Sequence, residues 1–191
     1  EVLEFVRQWS GHGFGSVMIF LGVGTVLTLI LQSSSATMAI TLIMLSMGWI
    51  PFEMACAMVL GENIGTTITA NIAASVGNTQ AKRAAMSHTI FNVSGVLWAL
   101  ALYKPFLGLV GFITATIFGL PDPSAEGFVV SGPNAPEGVA ALYGLSMLHT
   151  LFNTINTFVL IWFVKFIEKA VVLIIKAPKD QESEVFRLKY I

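Results

Sequence analysis

Apolar and small residues run without a break from Phe14 to Leu31, and a second, mostly apolar run covers residues 36–50. Between them stand four consecutive polar side chains, Gln32, Ser33, Ser34 and Ser35. An unpaired polar group is costly in hydrocarbon, so this tip must face protein, water or a ligand. Residues 16–31 make a helix of about 24 Å, short for a bilayer core of ~30 Å, and residues 33–47 are as short. Two half-length helices around a polar tip predict a re-entrant hairpin; the alternative is one long tilted span through Gln32.

The rest of the chain forms walls around that spot. Residues 1–10 mix Val2, Leu3, Phe5, Val6 and Trp9 with charges. They read as an amphipathic interfacial helix or the tail of a preceding element, broken by Gly11, Gly13 and Gly15. Gly48, Trp49 and Pro51 mark a turn at the interface. Residues 52–76 are long enough to span, and their middle reads Gly61-Glu62-Asn63-Ile64-Gly65-Thr66-Thr67-Ile68-Thr69. Two glycines bracketing a polar cluster predict an unwound point, a discontinuous transmembrane helix. The alternative is a continuous helix whose Gly and Thr allow close packing.

Charge placement orients the remainder. Lys82 and Arg83 put the loop 77–83 in the cytoplasm, and residues 84–103 span outward. Residues 120–138 are rich in Pro and Gly, carry Asp122, Glu126 and Glu137 with no Lys or Arg, and belong outside. Residues 139–164 return to Lys165, Lys169, Lys176 and Lys179 on the inside. An odd number of crossings must join Arg83 to the external loop. The apolar residues 106–119 therefore dip in and return, or lie on the surface. One pattern repeats: His88-Thr89-Ile90-Phe91-Asn92 returns as His149-Thr150-Leu151-Phe152-Asn153. The echo predicts equivalent packing roles and is too short for a solenoid. Each His lies four residues before an Asn on one helix face, which reads as cross-helix hydrogen bonding ahead of a proton relay or metal site.

Composition narrows the class. The 191 residues are 55% hydrophobic and 11% charged, against about 25% charged in soluble domains. A mean hydropathy of +0.78 points to an integral membrane protein. The net charge of −1 adds nothing. Cys56 is the single cysteine, so there is no disulfide framework and no cysteine metal site. The chain starts at Glu1 with no signal-peptide pattern, which is expected of a piece of something longer. It divides into an amphipathic lead-in (1–13), a repeat holding both polar clusters (14–103), further membrane helices with an external loop (104–176) and the start of a cytoplasmic linker (177–191).

The polar clusters suggest binding and not covalent chemistry. A helix beginning at Ser33 would offer free N–H groups and a positive dipole end to an anion, beside hydroxyl donors. The same oxygens, with those of residues 61–69, can ligate a hard cation such as Na+. The tip is then part of a substrate pathway, or it is polar glue between helices. A carboxylate at membrane depth is functional by default, so Glu62 holds Na+ or makes a helix-end hydrogen bond.

These residues carry a resemblance. Gln32-Ser-Ser-Ser35, then Gly61-Glu-Asn-Ile-Gly-Thr-Thr67, then Ala85-Met-Ser-His88 with Phe91, Asn92 and Gly95, resemble the sodium–phosphate cotransporter family, which includes animal type II cotransporters and many bacterial proteins. The match runs over about residues 14–95. The resemblance implies an all-α polytopic membrane protein, with a re-entrant hairpin and a discontinuous helix, forming one half of an inverted-repeat transporter. It implies sodium-coupled phosphate symport across the plasma (bacterial inner) membrane, with no enzyme activity, no cofactor beyond Na+ and no nucleic-acid partner. Phosphate would contact Gln32, Ser33, Ser34 and Ser35. Sodium would contact Gln32, Ser33, Asn63, Thr66, Thr67 and Thr69. One QSSS copy cannot assemble a full site, so a missing N-terminal repeat or a second copy is expected as partner. The ending Phe186-Arg-Leu-Lys-Tyr-Ile191 is similar to the linker that joins bacterial members to a PhoU-like domain. Competing readings are a regulatory or signalling membrane module and an oxyanion carrier independent of Na+.

Overall fold

The computed structural model describes residues 2–176; the expected linker at 177–191 lies outside the described residues. The fold is all-α, with no strand among the described residues: α1 Val2–Trp9, α2 Phe14–Leu31, α3 Ser34–Ser46, α4 Phe52–Ser75, α5 Thr79–Ala101, α6 Tyr103–Phe118, α7 Pro136–Leu160 and, after one 3-10 turn, α8 Val164–Ile174. Among the described residues, α2 and α5 are the helices both long and apolar enough to cross a membrane by length and composition. α4 and α7 match them in length, with 24 and 25 residues, but carry polar side chains through their middles.

The first polar tip turns the chain back. Gln32 ends α2 in the left-handed region, φ 52 and ψ 27. Ser33 is extended and caps α3, its Oγ accepting from the Ala36 N–H at 3.2 Å. Thr28 Oγ1 donates to Thr37 Oγ1 at 3.2 Å. Nine residues along one straight helix would lie about 13.5 Å apart, so the tilted-span alternative is excluded and a helical hairpin stands.

The second polar cluster does not break its helix. α4 runs continuously from Phe52 to Ser75, so the discontinuous helix expected at residues 61–69 is absent. The glycines serve another purpose. α2 and α4 run parallel in close contact, with Gly24 over Met58, Gly61 over Leu21 and Gly65 over Thr28. A Cβ on Gly61 would fall 1.9 Å from the Leu21 carbonyl oxygen. Small residues spaced four apart give the close backbone approach that membrane helices favour. The threonines bond back into α4: Thr66 to the Glu62 and Asn63 carbonyls, Thr67 to Ile64, Thr69 to Thr66. Donors satisfied within the helix remove the reason to unwind it.

Two ends of the molecule are distinct. At one, the segment after α6 packs on the α3–α4 turn, where Gly48 meets the Val130 carbonyl, and on α7, where Gly138 meets Gly132. α6 leaves α5 at Leu102 and stays at this end. Its Tyr103 hydroxyl donates to the Glu53 carbonyl, its last residue Phe118 packs on Tyr143, and Asp122 and Ser124 fold back onto its Gly111. At the other end Arg83 Nε donates to the Ile175 carbonyl at 3.1 Å, which brings both basic stretches together.

The two copies of the pentapeptide lie on α5 and α7 in different surroundings, His88 facing α8 and His149 facing α3 and α4. In each copy the Asn Nδ2 donates to the carbonyl of the His four residues before it. Neither His ring makes a hydrogen bond among the described residues, which replaces the cross-helix bonds expected of them. Three residues beyond each Asn stand Gly95 and Asn156. A Cβ on Gly95 would lie 2.6 Å from Asn156 Nδ2. Asn156 fills that space, donating to the Phe91 carbonyl and accepting from Trp98 Nε1.

Candidate functional site

A cavity of about 260 Å3 opens between the α3 N-terminus, the middle of α4 and α7. Ser34 and Ser35 line one wall, Glu62, Asn63 and Thr66 another, and His149 closes the third. Met38 and Leu42 form its apolar side. The hairpin brings the first set here because α3 runs antiparallel to α4 from the Ser33 cap. Helical geometry brings the second, since residues 62, 63 and 66 are spaced three and four apart on one face.

The two walls offer opposite chemistry. Ser34 and Ser35 occupy the first two helical positions of α3, where backbone N–H groups have no intrahelical acceptor. Among the described residues their hydroxyls carry no hydrogen bond, and neither does the Gln32 amide. This wall presents donors at the positive end of a helix, a setting that favours an anion. On α4 the Thr66 hydroxyl proton and one of the two Asn63 amide N–H groups are already used. Asn63 Nδ2 donates to the Val59 carbonyl at 2.8 Å, which turns Oδ1 away from its own helix. Thr66 Oγ1 donates to the Glu62 and Asn63 carbonyls, each at 2.9 Å, leaving its lone pairs outward. Oxygens presented without their protons suit a hard cation.

Glu62 sits between the walls, 4% exposed. Its Oε1 accepts from Thr41 Oγ1 of α3 at 2.8 Å. That bond crosses between helices in mid-helix, so it is not the helix-end contact considered from the sequence. It pins the returning arm of the hairpin to α4.

Of the residues singled out from sequence, Ser34, Ser35, Asn63 and Thr66 meet at this cavity. Gln32 lies exposed in the turn and Ser33 serves as the cap. Thr67 is buried and bonded to Ile64, and Thr69 is bonded to Thr66; neither lines the cavity. His149 was not among the sequence-predicted ligands. It lies far downstream, and no local pattern ties it to the tip.

Comparison with known proteins gives this arrangement a lineage. Residues 4–120 match the family model described as Na+/Pi-cotransporter. The chain is 42% identical over 105 residues to the uncharacterized Bacillus subtilis protein YqeW, covering 54% of this chain and 32% of that protein. It is 41% identical over 87 residues to sodium-dependent phosphate transport protein 2B of Rattus norvegicus, covering 44% of this chain and 12% of the relative. Against sodium-dependent phosphate transport protein 2C of Mus musculus it is 32% identical over 163 residues, covering 74% of this chain and 27% of the relative. The aligned part thus spans about a third or less of each relative. No solved structure shows significant similarity to the chain.

Proposed function

The chain belongs to the Na+/Pi-cotransporter family, a family of transporters and not of enzymes, and on that premise we propose that it forms one half of a sodium-coupled phosphate symporter. Phosphate binds at the α3 tip through the Ser34 and Ser35 hydroxyls and N–H groups, with Gln32 and Ser33 completing the turn. Sodium binds beside it through Asn63 and Thr66, within reach of the Glu62 carboxylate. Thr67 and Thr69 support the ion wall by their bonds inside α4. No cofactor is required beyond Na+ as the coupling ion.

The single observation that supports this reading is one cavity with unsatisfied hydroxyl and N–H donors on its α3 wall and outward-facing side-chain oxygens on its α4 wall. A symporter must hold an anion and a cation close enough for each to lower the other's desolvation penalty. Family membership supplies which anion and which cation.

Membrane placement rests on surface character. Ile30, Leu97, Phe112, Phe158 and Trp162 are exposed, Trp162 at 85%. Apolar side chains this large and this widely spread find their solvent in lipid. We place the protein in the plasma membrane, with the Lys82–Arg83 end in the cytoplasm and the hairpin entering without crossing. The donors of one tip are too few for a buried phosphate, so an inverted N-terminal repeat or a second copy of this chain closes the site. A PhoU-like domain beyond residue 176 would be a cytoplasmic partner.

Radiolabelled phosphate uptake by vesicles carrying the chain together with its N-terminal repeat tests the reading. Uptake should collapse when choline replaces Na+. Uptake indifferent to Na+ would leave an oxyanion carrier, and no uptake in either medium would leave the regulatory reading.

A further inference from the structure

A larger cavity, about 610 Å3, lies between α5 and α8 at the basic end, away from the transport site. Its polar lining on α5 is Gln80, Arg83, Ser87 and His88. Its walls are apolar, with Phe91, Ile167 and Val171. Arg83 is held in place by Nε, which donates to the Ile175 carbonyl. Its Nη2 is buried and has no hydrogen-bond partner. A guanidinium N–H out of water and unpaired is strongly unfavourable, so this nitrogen is arranged for an acceptor. Glu168 also faces the cavity, and no ion pair joins it to Arg83 among the described residues.

We propose that this cavity holds one membrane phospholipid with a zwitterionic headgroup of the phosphatidylethanolamine type. The headgroup phosphate accepts from Arg83 Nη2, the ammonium meets Glu168, and an acyl chain lies along Phe91, Ile167 and Val171. Three features select this occupant. The fixed charges are one cation and one anion, which matches a phosphate followed by an ammonium. The volume equals on the order of 20 waters at ~30 Å3 each, far more than a free phosphate fills. The apolar walls run from Arg83 toward the exposed apolar face of α8, with Val172, Leu173 and Ile174, so a bound chain continues into the bilayer. The inference rests on the membrane placement proposed above.

Native mass spectrometry of the purified protein, exchanged into phosphatidylethanolamine or phosphatidylglycerol micelles, reads the site without any transport step. One tightly held phosphatidylethanolamine per chain is expected, retained several-fold over phosphatidylglycerol. Arg83→Gln should reduce retention about tenfold. Ile167→Trp, which fills the apolar wall and leaves Arg83 in place, should do the same, with phosphate uptake by both variants near the parent level. Retention unchanged in both variants would overturn the proposal, as it would if an acidic group elsewhere in the chain occupied Arg83. Equal or better retention of phosphatidylglycerol would overturn the zwitterionic assignment. Displacement by millimolar inorganic phosphate would show a free-anion site in its place.

Discussion

The α3 tip and the α4 face are built from the same residue types, yet they present opposite halves of the hydrogen-bonding repertoire. Ser34 and Ser35 start a helix, where nothing behind them can take their protons or occupy their N–H groups. Asn63 and Thr66 sit mid-helix, and the carbonyls at Val59 and Glu62 take their protons at 2.8 and 2.9 Å. Position along a helix, and not side-chain identity, decides whether a hydroxyl or amide acts as donor or acceptor toward a ligand. A transporter that must bind unlike charges can therefore draw both sites from one small set of neutral residues.

The contrast can be broken outright by separating the helices that carry it. Gly61→Ala puts a methyl 1.9 Å from the Leu21 carbonyl oxygen, which forces α2 and α4 apart. A loss on the order of 3 kcal/mol in stability is expected, with both sites disabled together. Thermal unfolding in detergent measures it; a midpoint equal to the parent's would mean the two helices do not pack as described.

Next comes the donor wall alone. Ser34→Ala removes one hydroxyl from a charged acceptor, worth about 1–3 kcal/mol. Phosphate affinity should fall tenfold or more while Na+ activation changes little. Unchanged affinity would take the tip out of the phosphate site.

The acceptor wall should respond the other way. Thr66→Val keeps the shape and deletes one oxygen, a loss of about 1 kcal/mol. The half-activating Na+ concentration should rise several-fold, with the rate at saturating phosphate and Na+ nearly kept. A fall in maximal rate with an unshifted Na+ curve would make Thr66 a packing residue.

The smallest effect separates the frame from the ligands. Thr41→Val removes the donor to Glu62 Oε1 and should cost about 0.6 kcal/mol, the average for such bonds between membrane helices. Phosphate and Na+ dependence should stay within twofold of the parent. A large shift in the Na+ curve would mean that Thr41 aims Glu62 at the ion.

The hairpin was legible because Gln32–Ser35 interrupt apolar sequence too short to span on either side. The all-α fold followed from the apolar lengths. The state of α4 was not legible. A threonine can bond the carbonyl one turn back or a bound ion, and both uses give the same letters. A glycine written for close approach also looks like one written for a break. Assuming a break then hid simple helix arithmetic. On a continuous helix, residues 62, 63 and 66 share a face at one level; Thr69 continues that face one turn beyond the cavity, and Thr67 is buried beside it. His149 needed the third dimension, because only the packing of α7 on α3 brings it to the cavity.

Gly95 and Asn156 stand at corresponding places after the two copies of one pentapeptide, and each occupies the space the other leaves. They are a tooth and a notch cut from one template. Neither can drift alone: a side chain at 95 strikes the amide, and a smaller residue at 156 strands the Trp98 indole N–H. A change at one position is therefore expected to be tolerated only with a matching change at the other. A double-substitution cycle at 95 and 156 should accordingly show strong coupling, and the two positions should leave a joint signature among descendants even where the echoing motif around them has worn away.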